Sequence, residues 1–502
     1  MSDGEPPVDD VPEQMRIRRA KYDRLNDDPH RTPFPVGVPR THSLAQIRSG
    51  YLDLAPDTRT GVDVGVTGRV IFARNTGRLC FATLREDGVE LQVMLSAADV
   101  GPQALESWKS DVDLGDQVYV RGEVITSRRG ELSVSAQSWQ MTAKALRPLP
   151  VAYRPMSDET RMRQRYVDLI VRPEARGMVH ARASVLRSLR QTLHERGYLE
   201  LETPILSPQH GGAAARPFMT HLNAFDMDMS LRIATELYLK RAIIGGIDRV
   251  YEIGRTFRNE GIDSSHSPEF TELEAYESYG DYDTMAGLTH SLVIDAAHAL
   301  GFTQFRAADG QEIDLFAPWR EATVFGLVSE ALGEEVNVET NAATLRILAE
   351  KHSVQLAPDW NSAVIVLELY EKLVEHTLVQ PTFVRDYPSG VRPLARPHRD
   401  DPRLAEAWDL VIGGVELAPA YSELADPVEQ RRRLTQQSLA AAAGDPEAME
   451  LDEDFLRALE YGMPPTGGMG LGVDRLIMLL TSRWGIRDTI LFPLLKPLPG
   501  SA

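Results

Sequence analysis

The hydrophobic pattern of the chain changes near residue 147, and this change constrains the fold more than any other feature. Between Val62 and about Leu146 the sequence contains five short β-rich runs, separated by turns that carry Gly or Asp. Beyond that point apolar residues recur with helical periodicity, as at Val185, Leu189 and Leu193. The pattern therefore predicts a small β-barrel followed by a larger domain that contains both helices and strands.

The barrel has its own charge balance. A helix-compatible stretch, ALESW, follows the third run, and this arrangement predicts a barrel of the OB type. Residues 61 to 147 carry ten basic and eleven acidic side chains, whereas the whole chain has 54 Lys and Arg against 73 Asp and Glu, a net charge of −19. That total excludes a protein that coats nucleic acid through its overall charge, but it allows a local site. Phe81, beside Arg74 and Arg78, is compatible with stacking on single-stranded bases and with the barrel core.

Missing signals exclude several other classes of protein. A single cysteine, Cys80, permits no intramolecular disulfide and no cysteine zinc cluster, which fits a reducing compartment. The acidic start MSDGEPPVDD is unlike a secretory signal, and no run approaches the roughly 18 to 20 apolar residues of a membrane span. We therefore expect a cytoplasmic protein with residues 1 to 12 as a mobile tail. Residues 13 to 25 form a basic, helix-compatible stretch, for which a solvated helix is favoured over an RNA-facing arm.

A long amphipathic helix, roughly from Glu174 to Arg196, is predicted to begin the second domain and to end at Gly197. Its apolar stripe comprises Val185, Leu186, Leu189 and Leu193. The next segment, YLELETP, alternates apolar and polar residues up to Pro204, as an edge strand does. This helix and strand are compatible with a core position and with a dimer face.

Charged residues share the faces of two predicted antiparallel strands, RVYEIGRTFRNEG (249 to 261) and PEFTELEAYESY (268 to 279). Alternation places Arg258 and Glu260 on one face of the first strand. On the second strand it aligns Phe270, Glu272, Glu274 and Tyr276. Because an unpaired buried charge costs several kcal/mol, such a face is a poor core surface but a good floor for a polar ligand. A solvent-exposed face crossed by ion pairs explains the pattern equally well.

Glycines occupy alternate positions in PPTGGMGLGVDRLIMLL near the C-terminus. Gly468, Gly470 and Gly472 leave one strand face bare, so a ligand can approach the backbone closely. Asp474 is the predicted start of the apolar helix that follows. Arg475 lies in the first turn of this helix, where it could meet a phosphate.

Two acidic residues are predicted to converge across a turn at residues 413 and 414, where the sequence is Gly-Gly. A two-residue turn there pairs Val411 with Glu416 and brings Asp409 to the same face. Two converging carboxylates suit a hard cation such as Mg²⁺. Pro419 interrupts the ladder, so periodicity places no residue beyond it.

Taken together, these segments resemble the motifs of class II aminoacyl-tRNA synthetases of the aspartate, asparagine and lysine subgroup. The helix and strand ending at Pro204 are similar to the first class motif, FRNE with HSPEF to the second, and GLGVDR to the third. The segments GGAAARPF, ELYLKR, EAYESYGDY and PTFV resemble the lysine enzymes in particular. The resemblance covers the chain from about residue 60 onward, and neither the HIGH nor the KMSKS signature of class I occurs.

The resemblance implies an α+β fold with three parts. These are a tail, basic helix and linker over 1–59, an OB-fold anticodon-binding barrel over 60–150, and a class II catalytic domain over 151–502. The catalytic domain would consist of an antiparallel sheet flanked by helices. The implied reaction is activation of L-lysine by ATP to lysyl-adenylate, followed by transfer to the 3′ end of tRNA(Lys). Mg²⁺ is the implied cofactor, and a homodimer through the first motif is the implied assembly, without membrane association.

The same resemblance implies residue roles. The catalytic residues would be Arg258, Glu260 and Arg475. ATP would be held by Arg258, Glu260, His266, Phe270, Glu416 and Arg475, and Mg²⁺ by Asp409 and Glu416. Lysine would be held by Gly212, Glu236, Arg258, Glu274, Tyr276, Tyr421 and Glu423. The anticodon contacts on the barrel would be Arg74, Phe81 and Glu131.

Four residues depart from the family pattern. Ser265 stands where an arginine commonly precedes the histidine of the second motif, Asp409 replaces a glutamate, Pro419 an asparagine and Thr235 a proline. Three hypotheses therefore stay open. The chain is a lysine–tRNA ligase, a ligase for another amino acid or acceptor on the same scaffold, or a weakly active paralogue that binds tRNA or regulates.

Overall fold

The structure is a computed structural model that describes residues 12–28, 31–150, 156–209, 211–442, 449 and 451–498. Apart from residue 12, the expected mobile tail lies outside the described residues. The chain separates into two compact units, Met1–Arg176 and Gly177–Ala502. The domain boundaries at 59 and 150 stay predictions. Among the described helices, none combines the length and apolar character needed to cross a membrane.

The first unit contains a closed five-stranded barrel, which confirms the prediction from the β-rich runs. Its elements are α1 (Glu13–Asn26), α2 (Leu44–Gly50), β1 (Arg59–Thr76), β2 (Leu79–Glu86), β3 (Val89–Ser96), α3 (Pro102–Asp111), β4 (Gln117–Thr126), β5 (Leu132–Ala143), α4 (Asp158–Arg163) and α5 (Arg165–Val171). The barrel strands pair in the order β1–β2–β3–β5–β4, and only β3 and β5 run parallel among the described pairs. Alternate residues of β2 such as Cys80 and Ala82 are buried in the barrel core, as a period of two requires.

Helix α1 packs on the barrel, so the interpretation as a solvated helix was wrong for one of its sides. Leu25 belongs to the barrel core. The guanidinium of Arg18 is buried and donates hydrogen bonds to the carbonyl oxygens of Leu114 and Ala145 at 2.8 and 2.9 Å. The composition of α1 did not reveal this packing, because an arginine can be buried when its head group finds hydrogen-bond partners on the backbone.

The second unit is organised around an eight-stranded sheet. Helix α6 (Pro173–Glu195) leads into it. The other elements are β6 (Leu199–Glu200), β7 (Leu206–Ser207), β8 (Met219–Leu222), β9 (Met227–Leu231), α7 (Glu236–Ile244), β10 (Arg249–Phe257), β11 (Glu269–Ser278), α8 (Tyr282–Leu300), β12 (Phe305–Arg306), β13 (Glu312–Ile313), β14 (Arg320–Thr323), α9 (Val324–Leu332), α10 (Ala342–Lys351), α11 (Ser362–Leu373), β15 (Thr382–Pro388), β16 (Leu404–Ile412), β17 (Val415–Ser422), α12 (Pro427–Ala442), α13 (Glu453–Leu459), β18 (Thr466–Gly472), α14 (Val473–Thr481) and α15 (Ile486–Thr489), with 3₁₀ turns at Glu375–Thr377 and Ser389–Val391.

The large sheet has the strand order β14–β15–β16–β17–β18–β11–β10–β6. Its described pairs are antiparallel except at the two edges, where β14 pairs with β15 and β6 with β10 in parallel. The predicted helix before β6 is confirmed: Val185, Leu189 and Leu193 are fully buried in the core, and Gly197 ends the turn after the helix with φ of 78°. This packing holds β10, β11, β18 and β17 side by side at the centre of the unit.

Candidate active site

A cavity of about 360 Å³ lies over the central strands of the second unit. Its lining includes the nucleotide candidates Arg258, Glu260, His266, Phe270, Glu416 and Arg475, and the amino-acid candidates Gly212, Glu236, Glu274, Tyr276, Tyr421 and Glu423. The face of β11 that was predicted from alternation is part of this lining, with Phe270, Glu272, Glu274 and Tyr276. Residues from widely separated segments of the sequence therefore meet in one concave site.

The alternate glycines of β18 make room for this cavity. Gly468, Gly470 and Gly472 are in register with Tyr276, Glu274 and Glu272 of β11. A Cβ added at Gly468 would lie 2.1 Å from the Oε1 atom of Glu423 and 2.4 Å from a ring carbon of Tyr276. A Cβ at Gly470 would meet its nearest atom, Oε1 of Glu272, at 3.4 Å. The backbone of β18 is thus in close contact with the acidic end of the cavity at Gly468 and leaves open space at Gly470.

One end of the cavity carries the cations and the aromatic ring expected for a nucleotide. The guanidinium carbon of Arg258 lies 5.0 Å from the ring centre of Phe270, a cation–π geometry. Arg475 donates from Nη1 to the carbonyl oxygen of Glu416 at 2.6 Å, and its Nη2 lies 3.4 Å from Nε2 of His266. Both guanidinium groups are therefore held at the wall before any substrate arrives, as electrostatic stabilisation of phosphates requires.

Two local predictions for this end were wrong in detail. The first strand ends at Phe257, so Arg258 and Glu260 project from the loop that follows it and not from a strand face. Asp474 does not begin α14: the N-cap is Gly472, and the Asp474 carboxylate is buried, accepts from the backbone N–H of Thr271 at 2.7 Å and pairs with Arg182. A partner from a distant helix has outweighed the local capping preference of an aspartate.

The loop between β10 and β11 carries the other expected nucleotide residues. His266 Nδ1 lies 2.8 Å from Oδ2 of Asp263, and Ser265 donates its backbone N–H to the same carboxylate at 2.7 Å. Partial burial opposes ionisation of Asp263, but these hydrogen bonds lower its pKa to about 2. The carboxylate of Glu260 accepts weakly from the backbone N–H of Arg216 at 3.4 Å.

The other end of the cavity is acidic and buried. Glu274 accepts hydrogen bonds from the backbone N–H of Thr235 at 2.8 Å and from the hydroxyl of Tyr276 at 2.9 Å. Thr235 is one of the departures from the family pattern, and a proline there would have no N–H to donate. Burial raises the pKa of Glu274 well above its usual value, and it raises that of Glu423 to about 8.

Lys240 is a residue of this acidic end that the sequence predictions missed. It lies on α7, four residues after Glu236, and its side chain is completely buried. Its Nζ is 2.5 Å from Oε1 of Glu236 and also forms an ion pair with Glu423. The spacing of four in ELYLKR puts Glu236 and Lys240 on one helix face and was the available signal. One internal ammonium therefore links two carboxylates that line the cavity.

The proposed metal ligands lie at the turn between β16 and β17. The Gly-Gly turn is confirmed, with φ of 66° and 75°, and it pairs Val411 with Glu416 as predicted. Glu416 lines the cavity and fits a metal carried by a phosphate. Asp409 does not fit in the same way, because it lies behind the lining with one carboxylate oxygen bonded to Nη2 of Arg392. The described residues hold no cluster of three or more acidic, His or Cys side chains arranged for a metal.

The barrel residues expected at the anticodon occupy two places. Phe81 is half-buried on the face of β2 opposite the barrel core, which rejects the interpretation of Phe81 as a core residue. The guanidinium carbon of Arg74, its cross-strand neighbour, lies 5.5 Å from its ring centre. Glu131 is separate from this pair and binds Arg48. Phe81 is in register with Met94 of β3, which is in register with Ser135 of β5, and Glu131 lies four residues before Ser135. Four residues of strand are about 13 Å.

Comparison with known proteins identifies the class of protein that this fold and site define. A family model described as tRNA synthetases class II (D, K and N) matches residues 157–496, and one described as an OB-fold nucleic acid binding domain matches residues 64–142. The chain belongs to the class II tRNA synthetase family of the D, K and N group.

The individual relatives are more specific. The chain is 56% identical over 492 residues to a protein of Mycolicibacterium gilvum named lysine–tRNA ligase, covering 97% of this chain and 98% of the relative. It is 54% identical over 498 residues to lysine–tRNA ligase 1 of Mycobacterium tuberculosis strain H37Rv, covering 98% of each. It is also 48% identical over 503 residues to the lysylphosphatidylglycerol biosynthesis bifunctional protein LysX of Mycobacterium marinum, but it spans 45% of that protein's length.

Proposed function

We propose that this protein is a lysine–tRNA ligase, which activates L-lysine with ATP and transfers it to the 3′ end of tRNA(Lys). The observation that carries the proposal is a single cavity with two chemically different ends. Arg258, Phe270 and Arg475 lie at one end, and the buried carboxylates of Glu274 and Glu423 lie at the other. The cationic end suits a nucleotide, whereas the acidic end suits an ammonium group that has left water.

In the first step, a carboxylate oxygen of lysine forms a bond to the α-phosphorus of ATP, and pyrophosphate leaves with the electrons of the broken bond. The lysine carboxylate is already ionised at pH 7, so no general base is needed. Arg258 would neutralise the α-phosphate and hold the lysine carboxylate, while Phe270 and Arg475 would hold the adenine and Arg475 would also reach the γ-phosphate. Catalysis then rests on positioning and charge neutralisation.

In the second step, a hydroxyl of the terminal ribose of tRNA attacks the carbonyl carbon of the adenylate. AMP leaves with the bonding electron pair, and the hydroxyl proton is released. Mg²⁺ is proposed as the cofactor of ATP, where it would supply further charge neutralisation, and Glu416 is the carboxylate available to it.

Lysine recognition is assigned to the acidic end of the cavity. Glu236 and the backbone of Gly212 would take the α-amine, and Glu274, Tyr276, Tyr421 and Glu423 would surround the ε-ammonium. An uncharged analogue leaves Glu274 without a cation, whereas Glu236 and Glu423 keep the ammonium of Lys240, so the pocket discriminates against the analogue chiefly through Glu274. The barrel would read the anticodon through Phe81 and Arg74, with Glu131 contributing from a separate position.

A homodimer through the first class motif, which comprises α6 and the strand that ends at Pro204, is the proposed assembly. Val179 on α6 and Leu199 on β6 are exposed apolar side chains of this motif, at 38% and 55%. Burial against a second copy would remove both from water. Sedimentation of the wild-type protein and of a Leu199→Glu variant tests this assembly: a monomeric wild-type protein would contradict it.

Amino-acid-dependent exchange of pyrophosphate into ATP, screened over the twenty amino acids, tests the proposed activity. Exchange only with lysine supports it. Exchange with another amino acid instead indicates a ligase of different specificity, and binding of tRNA without any exchange indicates the weakly active paralogue.

Arg258→Ala should abolish this exchange while the urea unfolding transition stays unchanged, because its guanidinium faces the cavity. Arg255→Ala is a matched control, since Arg255 lies on β10 three residues before Arg258, outside the cavity lining, and pairs with Glu269 at 3.5 Å. Wild-type exchange in Arg258→Ala would remove this arginine from the active site.

A further inference from the structure

An arginine is bonded to one of the two carboxylates for which the sequence predicted a metal ion. Arg392 follows the 3₁₀ turn Ser389–Val391, and its Nη2 donates to Oδ2 of Asp409 on β16. The two side chains are 19% and 7% exposed, so this ion pair is largely withdrawn from water. The bond is charge-assisted, which is the stronger kind of hydrogen bond.

Aromatic rings hold the same guanidinium on its other sides. Its central carbon lies 4.1 Å from the ring centre of Tyr387 and 5.9 Å from that of Tyr421. The backbone carbonyl of Arg392 accepts a hydrogen bond from Arg433 at 3.2 Å, which fixes the main chain at this point. Arg392 also contributes to the cavity lining together with Tyr421 and Glu416. It is therefore a fixed positive charge at the cavity wall, between the cationic and acidic ends of the site.

A metal ion and this guanidinium compete for one carboxylate. Mg²⁺ binds carboxylate oxygens at about 2.0–2.1 Å and demands near-octahedral geometry. The second oxygen of Asp409 is buried as well, so a metal could reach the carboxylate only beside the guanidinium. A metal ion and a guanidinium that bind the two oxygens of one carboxylate repel each other strongly in a poorly solvated site.

We propose that Arg392 replaces a metal ion as the cationic partner of Asp409, so that Asp409 positions Arg392 and does not bind Mg²⁺. This proposal rests on the assignment of the cavity to ATP and an amino acid. Under it, Glu416 is the member of the predicted acidic pair that meets a metal carried by ATP. Asp409 is a positioning residue, which holds the arginine against Tyr421, and Arg392 presents its charge to the anionic groups of the substrates.

Binding of Mn²⁺ to the ATP-bound protein, measured by electron paramagnetic resonance of free Mn²⁺, separates the two roles. Glu416→Gln should weaken Mn²⁺ binding by at least about tenfold, because even the loss of a residue that only orients a metal ligand typically costs about 10–100-fold. Asp409→Asn should leave the Mn²⁺ dissociation constant within about twofold, the scatter expected of independent sites. Equal weakening in both variants would make Asp409 a metal ligand and overturn the proposal.

A double-mutant cycle on the Michaelis constant for ATP tests the link between Asp409 and Arg392. If Asp409 acts through Arg392, Arg392→Gln and Asp409→Asn combined should raise this constant no more than the larger single effect. Multiplication of the two single effects would show independent roles and contradict the proposal. If Arg392→Gln disturbs folding, Arg392→Lys replaces it in the experiment. Lysine keeps the charge but loses the planar fork and the aromatic stacking, so an intermediate increase in the Michaelis constant for ATP is expected.

The proposed function and the proposed role of Arg392 would be contradicted by different results. A wild-type protein that shows no lysine-dependent exchange but binds ATP and Mn²⁺ contradicts the proposed function and leaves the metal comparison interpretable. Lysine-dependent exchange combined with loss of Mn²⁺ in Asp409→Asn supports the function and overturns the role of Arg392.

Discussion

Gly468→Ala should damage the amino-acid end of the cavity and spare the nucleotide end. The new methyl group would lie 2.1 Å from Oε1 of Glu423 and 2.4 and 2.6 Å from two ring carbons of Tyr276. Carbon–carbon contacts in proteins are stable at about 3.5–4.0 Å, so these side chains must move by roughly 1 Å. Both are proposed to surround the ε-ammonium of lysine, whereas Arg258 and Phe270 lie outside the range of the clash.

The size of the effect follows from the cost of overpacking a closely packed site, which is typically 1–3 kcal/mol. At about 1.4 kcal/mol for each tenfold change, this cost corresponds to a loss of roughly fivefold to 150-fold in kcat/KM for lysine. The loss should appear in the Michaelis constant for lysine, because the displaced groups contact the bound amino acid. The affinity for ATP should stay at the wild-type value.

Lysine-dependent pyrophosphate exchange measures the first quantity, and calorimetric titration with a non-hydrolysable ATP analogue measures the second. Gly470→Ala is the matched control on the same strand face, since its methyl group meets its nearest atom at 3.4 Å. An unchanged Michaelis constant for lysine in Gly468→Ala, or an equal loss in Gly470→Ala, would refute the assignment of this end of the cavity to lysine.

Three further predictions concern other parts of the molecule. Lys240→Met should lower the free energy of unfolding by about 3–5 kcal/mol in urea titrations, because it leaves two buried carboxylates without their ammonium; a change under 1 kcal/mol speaks against the buried pair. The Michaelis constant for lysine should fall as pH rises from 6 to about 8 and then level off, because the pKa of Glu423 is raised to about 8 and only its ionised form pairs with an ammonium; a flat profile contradicts this. Phe81→Ala should lower tRNA charging by about fivefold or more while exchange and melting temperature stay unchanged, since base stacking is worth about 1–3 kcal/mol; loss of both activities together with stability would indicate a structural role.

Periodicity in the sequence was sufficient wherever one element determines its own geometry. Alternation along β11 predicted that Phe270, Glu272, Glu274 and Tyr276 share a face, and all four line the cavity. The Gly-Gly turn predicted the pairing of Val411 with Glu416, because positive φ at two successive residues permits a two-residue hairpin. Five β-rich runs predicted the barrel for the same reason: each strand carries its own pattern of buried and exposed positions.

Prediction failed where a side chain takes its partner from a distant segment. Asp474 was expected to cap its own helix, but it bonds Thr271 and Arg182, which are about 200 and 290 residues earlier in the chain. Lys240 was missed, although its spacing from Glu236 was visible, because Glu423 completes the ion pair only in the folded sheet. Neither partner can be read from the local pattern.

Asp409 shows why a pair of carboxylates predicts a charge requirement and not the identity of the cation. Burial imposes the requirement, since a carboxylate withdrawn from water needs a positive partner. Residue type and spacing along β16 and β17 are the same whether that partner is Mg²⁺ or a guanidinium. The choice is made by the loop after β15, which brings Arg392 to the carboxylate from 17 residues away in sequence. A metal assigned from two acidic residues therefore requires that the surrounding loops bring no arginine or lysine to the same oxygen atoms.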